Sequence, residues 1–197
     1  MSDTRLDSEW RVSEVDIRLL NANNRVYAIV EPQLWDKWKF WLYKSVIDPQ
    51  FASLFSETPY SHIENGPVIM NLSGSSELLS ECVSQMEQIP CGCFLVIKKG
   101  LDWESVLNNA RRSIAVTNER TEALLRYYDP RTLLPLLAVM SDEERFSYFS
   151  TIEQFIWHNK KWLTGCIPSF SYAGNPPEKW IMTTAQVERM QFILKQW

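Results

Sequence analysis

The run Arg25-Val-Tyr-Ala-Ile-Val-Glu31 is apolar on both of the faces that a strand presents, since successive side chains point to opposite sides. Only a strand covered on both sides tolerates that pattern, so a chain containing it must supply layers above and below a sheet. Three further runs of strand length follow, Pro67–Leu72, Gly92–Lys98 and Glu122–Tyr128, and Thr151–Trp157 is another candidate. Helical segments with recognisable starts alternate with them. Pro32 stands where a first helical residue is expected, predicting a helix to about Val46. Ser75 or Ser76 caps a helix to about Gln88, and Asp102 caps one carrying Trp103, Val106, Leu107, Ala110 and Ile114. Asp129-Pro130 supplies an N-cap followed by a first-turn proline. Ser141-Asp-Glu-Glu144 and Thr183-Thr-Ala-Gln186 are capping boxes.

This alternation predicts an α/β fold: one domain over 1–197, with a mixed β-sheet flanked by helices and a C-terminal helix. The packed core is expected at about 25–165, and 166–197 as an irregular segment plus the final helix. Gly165, Pro168, Gly174, Pro176 and Pro177 predict irregular backbone between Trp162 and Trp180, as Pro49, Pro59 and Gly66 do for the loop before the second strand.

Composition narrows the function. Twenty Lys and Arg against 24 Asp and Glu leave a formal charge of −4, which argues against a grip on nucleic-acid backbones. The polar N-terminus has no apolar stretch suited to a signal peptide. The longest apolar run, Leu133 to Met140, is eight residues broken by Pro135, whereas a spanning helix needs roughly 20. A cytoplasmic protein without membrane or nucleic-acid partners is expected. Nine Trp, nine Phe and seven Tyr are the unusual numbers, and they signal dense packing, a partner surface, or both.

Chemistry-bearing motifs are sparse. Cys91-Gly92-Cys93 lacks the two intervening residues of zinc and thioredoxin patterns, and Cys93 opens the run CFLVI, so the cysteines read as packing residues. His62 and His158 are the only conventional bases, and neither has a metal-spaced partner. No Gly-x-Ser-x-Gly elbow and no glycine-rich phosphate loop is present. No catalytic residue, metal site or cofactor is assigned. An enzyme using His158 or the Glu143-Glu144 pair stays as an alternative.

Two helices offer faces to other proteins. Over 33–46, Leu34, Trp35, Trp38, Trp41, Leu42 and Val46 share one arc at about 100° per residue and form the expected core face. Phe40 and Tyr43 fall opposite, among Gln33, Asp36, Lys37 and Lys44. The Phe51–Tyr60 loop is expected to cover them; left exposed, they would suit the anchor role aromatics take in interfaces. In the final helix, Val187, Met190, Ile193, Leu194 and Trp197 form the docking stripe. Phe192 lies away from it, free to meet a partner.

The segment Leu124–Leu137, LLRYYDPRTLLPLL, is the most distinctive. Arg126 lies on an otherwise apolar strand and should have an acidic or carbonyl partner, because an unpaired buried charge is costly. Asp129 caps, Pro130 fixes the first turn, and Arg131 projects from it. A structural strand-to-helix corner accounts for all four, with direct partner contact by Arg131 as the alternative.

Arg126-Tyr-Tyr-Asp-Pro-Arg131 also resembles the R-x-x-D-P-R element of bacterial type VI secretion effector adaptors, or effector chaperones (Tap or Tec proteins). Tyr27–Val30 is similar to the opening strand of that family. Leu54-Phe-Ser-Glu-Thr-Pro-Tyr60 followed by Gly66-Pro67-Val-Ile-Met-Asn-Leu72 resembles its LF-x-x-T-P and G-P-x-L stretch, and Thr183–Gln186 its T-x-x-Q helix start. The elements occur in order over roughly 25–190. The resemblance implies a non-enzymatic cytoplasmic protein that holds a toxic effector and helps load it onto a VgrG or PAAR-type spike. It makes Gly66, Pro67, Arg126, Asp129 and Pro130 motif residues with structural roles. Members often continue into a further helical region, so a short or trimmed member is expected here. An immunity protein that binds a toxin directly is the alternative from another class.

Overall fold

A computed structural model describes residues 6–118, 121–169 and 180–197. After a π-helical turn at Leu6–Trp10, the first half of the chain forms β1 (Ser13–Glu14), β2 (Val26–Val30), α1 (Trp38–Ser45), β3 (Phe51–Ser53), β4 (Val68–Asn71) and α2 (Ser76–Gln88). Next come β5 (Gly92–Ile97), α3 (Trp103–Arg112), β6 (Ala115–Asn118) and β7 (Thr121–Leu124). The remainder comprises α4 (Leu133–Val139), α5 (Asp142–Tyr148), β8 (Ile152–Asn159), β9 (Lys161–Cys166), β10 (Trp180–Ile181) and α6 (Thr184–Gln196).

Seven strands form one sheet in the order β1-β9-β8-β5-β2-β4-β3, antiparallel throughout, and β10-β6-β7 form a small second sheet in which β10 runs parallel to β6. The α/β class, the flanking helices and the C-terminal helix are as expected. All five residues of β2 are buried between β4 and β5, as two-sided apolarity requires. Val26, Ala28 and Val30 face one core, with Trp35 and Leu42 from the α1 region and Leu78, Leu79, Cys82 and Met86 of α2. Tyr27 and Ile29 face the other, with residues of α3 to α6 and with Leu6 and Trp10. Helices therefore cover both faces of the sheet, and the buried core reaches outside 25–165 at both ends.

The helix starts at Ser75, Asp102, Ser141 and Thr183 form as the sequence indicates, each with its side-chain cap bond, and both capping boxes close. Several boundaries differ. The first helix begins at Trp38, because the N–H groups of Leu34 and Trp35 both bond the Glu31 carbonyl and hold the intervening residues in turns. The run at 122–128 is a strand only to Leu124, and it pairs with β6 in the small sheet. The Trp162–Trp180 stretch contains β9, a full partner of β8 across a tight turn with Lys160 at φ 63°. The rest of that irregular-backbone expectation, at 170–179, lies outside the described residues. In α6, Ile193 is buried and Val187, Met190 and Trp197 pack beside it, but Leu194 is 44% exposed and drops out of the docking stripe.

Gly92 opens β5 opposite Val30, where a Cβ would lie 1.9 Å from the Ile29 carbonyl oxygen. The obstacle is backbone in the middle of the sheet and cannot swing aside. Gly92→Ala should cost about 3 kcal/mol by forced displacement of β2 from β5. Urea denaturation checks this, and a midpoint within error of wild type would show that the strands separate freely.

Candidate functional site

The motif residues converge where β2 ends and β4 and β5 begin. Leu54 N–H donates to the Pro67 carbonyl at 2.9 Å, and the Phe55 ring lies so close over Gly66 that a Cβ there would meet it at 2.2 Å. Thr58 closes the intervening turn by donating its hydroxyl to the Phe55 carbonyl at 2.7 Å. Each element of the LF-x-x-T-P and G-P stretch thus has a packing role, with Pro67 buried.

Glu31, just past β2, receives Arg126 Nη2 on its Oε1 at 2.5 Å. Its N–H donates to the Cys91 carbonyl. Asp129 lies 3.8 Å from the same guanidinium and is gripped more closely by Arg131, whose Nε and Nη2 donate at 2.8 and 2.6 Å. Asp129 also accepts the Arg131 N–H at 3.0 Å. Burial would raise the Asp129 pKa, but the Arg131 hydrogen bonds outweigh it and the carboxyl is held below its ordinary value. The Tyr128 hydroxyl moves the other way, pushed up by burial and then by the Glu31 charge. Glu31, Phe55, Gly66, Pro67, Arg126 and Tyr128 line a cleft of about 180 Å³.

Arg126 therefore has its acidic partner, but it sits beyond the strand with 42% of its side chain exposed. Asp129 is not the cap of α4. That helix starts at Leu133, and Thr132 at its N-cap makes no side-chain cap bond; its hydroxyl donates instead to the Asp129 carbonyl at 3.3 Å. The Asp129 carboxylate closes a turn onto Arg131, while its carbonyl accepts from the N–H groups of Thr132 and Leu133. Pro130 is buried within that turn, and Arg131 is exposed beyond its contact with Asp129.

The α1 face differs from expectation in another way. Phe40 and Tyr43 are 62% and 56% exposed; the Phe51–Tyr60 loop does not cover them. Phe51 instead belongs to β3, an edge strand, and touches Tyr43 edge-on at 5.9 Å between centroids. The apolar Leu54 and Phe55 of the loop turn into the opposite core. Trp38 and Trp41 are half-buried beneath, and Ile47, just past the helix, is fully exposed. Phe192 is 57% exposed on α6, which packs against α4 on the other side of the sheet. The four contact candidates therefore do not share one surface: Phe40 and Tyr43 lie together, Arg131 belongs to the corner, and Phe192 is on the far layer. The sequence reading missed Glu31 as the partner of Arg126, which no local spacing announces, and did not single out Ile47, which is fully exposed just past the helix.

The remaining candidates have local roles. His62 Nδ1 lies 3.1 Å from the Pro59 carbonyl, and the His158 ring packs on Trp162 at 5.3 Å. Glu144 completes the α5 capping box and also accepts from Trp180 Nε1 at 2.8 Å and Gln186 Nε2 at 3.0 Å. Cys82, Cys91 and Cys93 are buried and Cys166 is exposed; burial pushes the Cys91 thiol up to about 12. Among the described residues no group of three or more His, Cys, Asp or Glu could hold a metal ion, and no helix is long and apolar enough to cross a membrane.

The corner predicts a pH dependence. The folded pKa of Asp129 lies below its unfolded value, so its stabilisation is complete above the ordinary carboxylate range and is lost as pH falls through the folded value. Asp129→Asn should flatten the acid limb of stability against pH and cost about 1–2 kcal/mol at neutral pH, from the turn bonds and the unpaired Arg131. Parallel acid limbs in the two proteins would show that Asp129 makes no such contribution.

No curated protein and no solved structure matches the chain. A sequence family does, from the start of β2 into the last turn of α5, and so takes in the corner, the cleft and α1. The family is associated with type VI secretion effectors. Matched over residues 26–147, well over half of its length, the chain belongs to the family described as domain of unknown function DUF4123.

Proposed function

We propose that this protein is a non-enzymatic adaptor that binds a type VI secretion effector in the cytoplasm of the producing cell and helps load it onto a VgrG or PAAR-type spike. The observation that carries the proposal is the membership of residues 26–147 in a family associated with such effectors. The geometry is consistent with a binding role. The charged motif residues hold one another in ion pairs, and the histidines and Glu144 are occupied locally. Phe40 and Tyr43, meanwhile, are large rings on a helix surface where folding gives them little to do. Exposed aromatics with a charged rim are the usual anchors of protein interfaces.

The test is affinity capture of the tagged full chain from its native cell, with mass spectrometry of the bound proteins. An effector and a spike protein should be retained. The Phe40→Ala, Tyr43→Ala double variant should keep its melting temperature and lose about 2–3 kcal/mol of effector affinity. Recovery of neither protein would defeat the adaptor reading. Protection of toxin-expressing cells by the chain alone would identify an immunity protein instead.

A further inference from the structure

Helix α1 is built against its own folding preferences at one end. Its N-cap is Lys37, which makes no side-chain cap bond, and its first turn holds Lys39 and no acid. A helix N-terminus favours Ser, Thr, Asp or Asn at the cap and negative charge nearby, because the unpaired N–H groups and the helix dipole are positive there. Every charged residue within α1 is a lysine, on a chain whose net charge is −4. Lys44 is held by Glu77 at 2.9 Å and lies 4.2 Å from the Trp41 ring centre. Lys39 lies 5.8 Å from the ring centre of Phe51, and among the described residues neither Lys37 nor Lys39 forms a salt bridge. Beside these cations stand Phe40 and Tyr43, one helical turn apart, and exposed Ile47 follows the helix.

Resting on the adaptor reading, we propose that this face docks an apolar segment of the effector flanked by acidic residues. Phe40, Tyr43 and Ile47 take its apolar side chains, and Lys37 and Lys39 meet its carboxylates. Charge complementarity selects the occupant. Exposed Asp36 offsets one cation at this end and Asp48 lies beyond Ile47 at the other. The two lysines and the helix dipole thus leave the start of α1 net positive, where an acidic flank gains and a basic one is repelled. The rings supply most of the affinity and the lysines most of the orientation and on-rate.

The probe is a pair of synthetic amphipathic peptides with identical leucine stripes, one flanked by Glu and one by Lys, titrated into the full chain by calorimetry. The Glu-flanked peptide should bind about tenfold more tightly and lose that advantage at high salt. Lys37→Glu with Lys39→Glu should reverse the preference. Phe40→Ala with Tyr43→Ala should weaken both peptides by about thirtyfold at unchanged melting temperature. Equal binding of the two peptides, no binding of either, or indifference to all four substitutions would overturn the proposal. So would concentration-dependent dimerisation abolished by the aromatic variant, which would make the occupant a second copy. Binding to phosphatidylglycerol vesicles through the same residues would make it a lipid surface. If native effector capture persists while the peptide preference fails, the docking chemistry is wrong and the adaptor reading stands. If the preference holds while no effector is captured, the adaptor reading fails alone.

Discussion

A buried guanidinium whose hydrogen bonds go to backbone carbonyls closes one side of this fold. Arg145, 2% exposed on α5, donates Nε to the Leu137 carbonyl at 2.9 Å and reaches the carbonyls of Trp10, Arg11 and Cys166 at 3.4 to 3.5 Å. Those carbonyls belong to the N-terminal segment, the last turn of α4 and the end of β9. One side chain thus joins three elements far apart in sequence. Burial lowers its pKa to about 10, which still leaves it charged at neutral pH. A buried charge held by carbonyl dipoles is tolerated only while those carbonyls stay in place, so the geometry of all three elements is tied to this residue. The α4 carbonyls add to the attraction, since the C-terminal end of a helix is negative.

The neighbouring residue extends the same joint. Glu144 closes its own capping box through the Ser141 N–H at 2.7 Å and accepts from Gln186, which closes the box of α6. Two local helix-start signals thereby become one tertiary contact, and Trp180 donates to the same carboxylate. Local capping preference and global packing agree here, which is the consistency expected of a sequence that specifies one structure. It also explains how a two-residue strand, β10, is held in register beside β6.

What the sequence made legible follows from how local each signal is. Two-sided apolarity identified β2, and cap residues located α2, α3, α5 and α6, because both are decided within a few residues. The β8–β9 hairpin was hidden because Lys160 occupies the left-handed turn position where glycine or asparagine would announce a reversal. Asp129-Pro130 announces a helix start, yet Arg131 two residues on captures the carboxylate, and the helix waits until Leu133. At the corner, the need of Arg126 for an acidic or carbonyl partner was legible from its apolar surroundings. Which partner was not, because Glu31 lies 95 residues away and only the sheet brings it near. Exposure of Phe40 and Tyr43 depended on where one loop turns its apolar residues, and Leu54 and Phe55 go to the opposite core.

The two surfaces of the matched region divide the work by their chemistry. At the corner, Glu31, Arg126, Asp129 and Arg131 satisfy one another, so the polar groups of the motif are largely spent on shape. The Glu31 backbone carries that shape onward, since its carbonyl fixes the turns that set where α1 begins. Disturbing the corner would therefore displace α1 without touching any of its exposed residues. Around α1 the balance is reversed: Leu42 and the preceding Trp35 are buried and fix the helix on the sheet, while Phe40 and Tyr43 on the outer side stay more than half exposed. A motif of ion pairs that sets where a helix begins, and a helix with aromatic rings and lysines on its outer face, together give the proposed contact surface a rigid mount. Binding through such a mount, as proposed, would lose little conformational entropy, because the helix is ordered without the partner.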